Sequence, residues 1–157
     1  MKYLALIILS CFSLCACANT SEQPNFIFLI VDDLGRQDVG VYGSSLYRTP
    51  NMDGLASAGM RFDNAYVAHP RCLPSRLAMM SGRYPASYGI PGFQNRKKGK
   101  HALPLSATTF AEILKENGYQ TGYIGKWHLG KKGGEPLYQG FDTNIMAGKS
   151  GGPPSHF

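Results

Sequence analysis

The chain has 157 residues, enough for one domain with its own core, and 43% of them are hydrophobic against 17% charged. That balance excludes an intrinsically disordered chain. The net charge of +6 is modest and scattered, with small basic clusters at Arg96, Lys97, Lys98 and Lys100 and at Lys131 and Lys132. Solvated loop charge accounts for them, and an anionic substrate is the other reading. No segment resembles a nucleic-acid module, so no nucleic-acid partner is expected.

Residues 1–16 read as a targeting segment. Lys2 supplies a positive start, and Leu4 to Leu14 is apolar but too short to span a bilayer as a helix. Leu14-Cys15-Ala16-Cys17 resembles a bacterial lipobox, which implies lipidation of Cys17 and an exported, membrane-anchored protein in the periplasm or at the outer membrane. Ordinary secretory cleavage after Ala16 or Ala18 is the alternative. Cys11 and Cys15 would leave with the signal, so only Cys17 and Cys72 of the four cysteines would remain. Residues 17–23 are then a polar spacer before a domain over 24–157.

Pro24 to Val31 is apolar at nearly every position and predicts a central strand of a parallel sheet. It runs into Asp32-Asp33-Leu34-Gly35. In open α/β sheets ligands bind at the carboxyl ends of strands, and paired carboxylates there suit a hard cation such as calcium or magnesium. A solvated Asp-Asp turn is the plain alternative. Thr49-Pro50 predicts a helix start, Met52, Leu55 and Ala56 share its apolar side, and Gly59 stops it. Met60 to Val67 predicts a second strand, which completes one right-handed crossover.

Arg71-Cys72-Leu73-Pro74-Ser75-Arg76 predicts a short helix from about Pro74 to Ser81, with Cys72 at its mouth and Gly82 just past its end. The helix N-terminus favours an anion, and Arg76 lies one turn in. A lone cysteine also occurs as a small buried hydrophobe. His69, just upstream, reads as structural. Residues 84–105 read as loop. Thr109 to Glu112 is a capping box, the helix behind it shows Phe110, Ile113 and Leu114 on one face, and Asn117-Gly118 ends it. Tyr119 to Ile124 is a third strand candidate. In Gly125-Lys126-Trp127-His128-Leu129-Gly130, an extended backbone would send Lys126 and His128 to the same face. Such a pair can grip an oxyanion and exchange a proton, or be a surface lysine beside a structural histidine.

Two of these motifs carry a resemblance. Cys72-x-Pro74-Ser75-Arg76 with Ser81-Gly82-Arg83 resembles the modification motif of the type I sulfatases, with Ser81 where the family usually has threonine. Gly118-Tyr119-x-Thr121-Gly122-x-x-Gly125-Lys126-Trp127-His128-Leu129-Gly130 resembles the second sulfatase signature, and Gly140-Phe141-Asp142 is similar to a family turn. The resemblance implies an α/β fold of the alkaline phosphatase type, a mostly parallel sheet flanked by helices, of which this chain would be the N-terminal part. It implies sulfate-ester hydrolysis through formylglycine made from Cys72 by a sulfatase-maturing enzyme. Asp32, Asp33 and the modified Cys72 would hold calcium or magnesium. Arg76 would orient the hydrated aldehyde, Lys126 would bind sulfate oxygens, and His128 would assist deprotonation. The expected substrate is a sulfated small molecule or carbohydrate. The family's remaining ligands lie further downstream, so this piece alone is expected to have little activity. Two other outcomes stay open: a phosphate or phosphonate monoester hydrolase on the same site, and a module that has lost catalysis.

Overall fold

Proline, glycine and capping residues punctuate the chain where the elements of the structure, a computed structural model, begin and end. Residues 23–90, 102–130 and 133–147 are described. They fall into two units that divide between Val31 and Asp32. In the first unit, residues 23–31 form no regular element, and Ile27 is 86% exposed. The predicted strand is therefore not seen. A strand apolar on both faces needs hydrogen-bonded neighbours and two covering layers, and the two-stranded sheet among the described residues does not include this stretch.

In the second unit, 3₁₀ turns at Arg36–Asp38 and Gly40–Tyr42 precede helix α1 (Pro50–Ala58). Thr49 stands at the N-cap, but its side chain does not cap the helix. Its hydroxyl instead donates to Asp53 Oδ1 at 3.0 Å and accepts from the Gly40 N–H at 2.8 Å. Asp53 Oδ1 also accepts from the Val41 N–H at 2.7 Å. A Cβ on Gly40 would lie 2.5 Å from the Asp53 carboxylate, which would have to shift to admit it. The apolar side of α1 is not covered, since Met52 and Leu55 are exposed. Residues 60–67 form a turn at Asp63–Asn64 instead of the predicted strand, and Phe62 and Tyr66 face solvent. The expected crossover is thus absent from this stretch.

Helix α2 runs Cys72–Ser81, two residues earlier than predicted, so Cys72 is its first residue. Pro74, in the first turn, removes a donor that would have no helical partner. Gly82 closes α2 in the left-handed region (φ 65°), its N–H bonding to the Ala78 carbonyl at 2.8 Å. A 3₁₀ turn follows at Pro85–Tyr88. Helix α3 (Phe110–Glu116) opens with the predicted capping box between Thr109 and Glu112. Its buried contact comes from Ala111 rather than Ile113, which is exposed. The strand prediction over 119–124 narrows to β1 (Gly122–Ile124), which pairs in parallel with β2 (Thr143–Ile145) in the register Tyr123 with Asn144. The connection between them carries a 3₁₀ turn at Pro136–Tyr138 and the expected turn at Gly140.

The core is built by α2, α3, β1 and the segments after β1. Leu77 and Met80 of α2 meet Leu103, Ala111, Tyr123, Trp127, Leu129 and Phe141. Four aromatic contacts hold its centre edge to face: Tyr123 to Trp127 at 4.9 Å, Tyr123 to Phe141 at 5.1 Å, Trp127 to Phe141 at 6.0 Å and Phe110 to Phe141 at 6.2 Å. The buried indole N–H of Trp127 donates to the Gly134 carbonyl at 2.7 Å. The result is an α/β arrangement with a parallel pair and helices, as expected. Among the described residues no helix is long and apolar enough to cross a membrane.

Candidate active site

The helical spacing of α2 puts Cys72 and Arg76 on the same face, one turn apart. Cys72 is half-buried and its thiol is free of any disulfide. The N–H of Arg71, before it, donates to His69 Nδ1 at 3.0 Å, so His69 supports the entry to the helix, the structural role read from the sequence. Arg76 is buried, at 4% exposure. A buried guanidinium needs acceptors on its donors. Its Nη2 reaches Asp32 Oδ1 at 3.2 Å, and its Nη1 reaches the Tyr123 hydroxyl at 3.2 Å and the Lys126 carbonyl. Its Nε has no partner among the described residues.

Lys126 Nζ donates to Asp32 Oδ2. One carboxylate thus holds two cations, one on each oxygen. Burial alone pushes the Asp32 carboxyl up, but the hydrogen bonds from Lys126 and Arg76 outweigh it and hold the group below the ordinary aspartate range. His128 lies in the same field. Burial pushes its imidazole down, the charges of Lys126 and Arg76 add to this, and Asp32 opposes them, so His128 is neutral near pH 7. Its buried Nδ1 has no hydrogen-bond partner among the described residues.

The backbone reaches this arrangement differently from the sequence expectation. Gly125 has φ 93° and His128 has φ 61°, so residues 125–128 are a kinked loop rather than an extended strand. Strand alternation does not place Lys126 and His128 together. Two left-handed positions and the anchored Trp127 side chain between them do. A residue with a Cβ in that region costs about 1 kcal/mol, which the Trp127 packing offsets.

Asp32, Arg76, Lys126 and His128 are therefore brought together, with Cys72 one turn before Arg76. Asp33 is not part of this cluster. It is exposed, with φ 57°. Among the described residues no group of three or more His, Cys, Asp or Glu side chains is placed to hold a metal. A calcium ion takes six to eight oxygens, and both Asp32 oxygens are already engaged by cations, so the residues as arranged do not fit a metal cage. Cys17 lies outside the described residues, as do the clusters at 96–100 and 131–132. Tyr123 is a member of the network that sequence reading missed. The available signal was its inward position on β1, between two exposed neighbours.

Chemically the site offers two fixed cations to one carboxylate, beside a helix start bearing a thiol and next to a neutral imidazole. That set suits an oxyanion with a group to be attacked and a proton to be moved.

Comparison with known proteins agrees. The family model described as Sulfatase matches residues 24–152. Human steryl-sulfatase is 42% identical over 118 residues, which cover 72% of this chain and 20% of that protein. The chain thus spans about a fifth of that relative's length. The crystal structure of Ps i-CgsB is similar with a TM-score of 0.72 and 44% identity, over 81% of this chain and 29% of that one. The structure of BT4656 in complex with D-glucosamine-2-N,6-O-disulfate is similar with a TM-score of 0.61 and 33% identity, over 82% of this chain and 24% of that one. On these motifs, this fold and these similarities, the chain belongs to the sulfatase family.

Proposed function

We propose that the protein hydrolyses sulfate esters, that Cys72 is oxidised to formylglycine by a sulfatase-maturing enzyme, and that the substrate is a sulfated carbohydrate. The observation that carries this reading is the convergence of buried Arg76 and of Lys126 on Asp32, one turn along α2 from Cys72. The sugar disulfate bound by the similar BT4656 supports the substrate class.

Formylglycine supplies a hydrated carbonyl in place of a thiol, and so an oxygen nucleophile. Everything else falls to the side chains. Arg76 is pinned by its acceptors and presents fixed positive charge beside position 72. Lys126 is the more accessible cation. It can transfer its hydrogen bonding from Asp32 to a sulfate oxygen, while Arg76 keeps the carboxylate paired. Neutral His128 can accept a proton on its imidazole. Among the described residues Asp32 and Asp33 are not gathered with further metal ligands. The family's divalent ion would be calcium or magnesium, and Cys17 would carry a lipid anchor.

The test is the mass of the peptide containing Cys72, from protein made together with a formylglycine-generating enzyme. A mass loss that matches replacement of the thiol by an aldehyde is expected. An unmodified thiol, where a control sulfatase is converted, would overturn the nucleophile assignment and favour a module without catalysis.

A further inference from the structure

Tyr123 stands at a junction that no motif marks. Its ring is buried on β1 and clamped edge to face by Trp127 at 4.9 Å and Phe141 at 5.1 Å. Its hydroxyl donates to the Lys126 carbonyl, and the same oxygen lies 3.2 Å from Arg76 Nη1. A phenol has a single proton. With that proton on the Lys126 carbonyl, the oxygen can face Arg76 only as an acceptor. Arg76 Nη1 also donates to that carbonyl, so the three groups close a triangle. Burial raises the Tyr123 pKa, against the lowering effect of Arg76, which keeps the phenol protonated and the direction of both bonds fixed.

A phenylalanine would fill the same volume. It would leave Arg76 with one acceptor fewer and the Lys126 carbonyl with one donor fewer, with no change in the apolar packing. The hydroxyl therefore has a task separable from the core role of the ring. We propose that Tyr123 is a positioning residue of the oxyanion site: it fixes the Arg76 guanidinium and the backbone at Lys126, and so the spacing of the two cations. This rests on the oxyanion reading given above.

The test is Tyr123→Phe in the full chain, with inorganic sulfate as the probe and Trp127, the only tryptophan, as the fluorescence reporter. Sulfate binding should weaken about tenfold, the scale of one hydrogen bond to a charged group, with the thermal midpoint moved little. In an Arg76→Gln background the same substitution should add no further loss. A second measurement needs no ligand: the side-chain ¹⁵N resonances of Arg76 should be separate in the parent and averaged by rotation in Tyr123→Phe. Unchanged sulfate affinity and unchanged Arg76 resonances, with lowered stability, would overturn the proposal and leave a core role only. If the parent chain binds no sulfate, the oxyanion reading fails on its own. The Arg76 resonances then still decide whether Tyr123 positions the guanidinium.

Discussion

Residues 36–67 and the described residues between 72 and 147 hold their shape by different means. In the first stretch the ties are polar. Asp53 collects the Val41 N–H and the Thr49 hydroxyl, the Tyr42 hydroxyl donates to the Phe62 carbonyl, and Arg36 and Arg61 both lie against the Tyr42 ring. Its large apolar side chains, among them Leu46, Leu55, Met60 and Phe62, stay exposed. In the second stretch Leu77, Met80, Trp127, Leu129 and Phe141 are buried together, and hydrogen bonds serve mainly to satisfy what that burial encloses. Polar ties are enough to shape a loop and a helix entry. Removal of apolar surface from water is what orders a site, and the candidate site sits against the aromatic cluster.

The sharpest way to probe this contrast is Trp127→Ala. Losing a side chain that is 1% exposed should cost about 3–5 kcal/mol in denaturant unfolding and release the loop carrying Lys126 and His128. Gly140→Ala comes next. Gly140 has φ 90°, and an added Cβ would lie 2.4 Å from the Glu112 backbone nitrogen, so a loss of about 2 kcal/mol is expected in the same measurement. Asp53→Ala acts on the other region. It should cost about 1 kcal/mol and accelerate hydrogen exchange at Val41 and around α1, while amides over 110–129 keep their protection. Protection lost equally in both regions would show that they unfold as one unit.

A smaller effect appears in acid. The Lys115 ammonium, 2.6 Å away, and hydrogen bonds from Thr121 lower the pKa of Asp142 from 3.8 to about 2. A carboxylate with a depressed folded pKa stabilises fully above its unfolded value. Its contribution should therefore be complete above about pH 4 and fade as pH falls towards 2, and Asp142→Asn should remove that part of the acid profile. The smallest effect is expected from Leu55→Ser. At 66% exposure this residue should change stability by no more than about 0.5 kcal/mol. A loss of core size there would mean that α1 is covered in solution, and the contrast between the regions would fail.

Local signals were legible where the physics is local. The Thr109 capping box, Gly82 after α2 and the Gly140 turn each depend on a few neighbouring residues, and each formed as read. The strands at 24–31 and 60–67 did not, because a strand exists only through a partner, and apolar pattern alone names no partner. The site shows the same division. Residue types and spacing marked Cys72, Arg76, Lys126 and His128 only as candidates, and the resemblance to the sulfatases gave them their expected roles; α2 itself fixes the spacing of the first two. Asp32 and Asp33 looked equivalent in sequence, yet only Asp32 meets Arg76 and Lys126, across 44 and 94 positions. Tyr123 looked like one more strand residue.

The sequence by itself determined the helix caps, the residue types and spacing of the two motifs and the family to which they belong. The tertiary structure alone decided which aspartate is paired and which tyrosine holds the arginine. The reason is physical. Caps and motifs are set by groups within a turn of one another, whereas ion pairing and burial depend on what long-range packing brings together and removes from water.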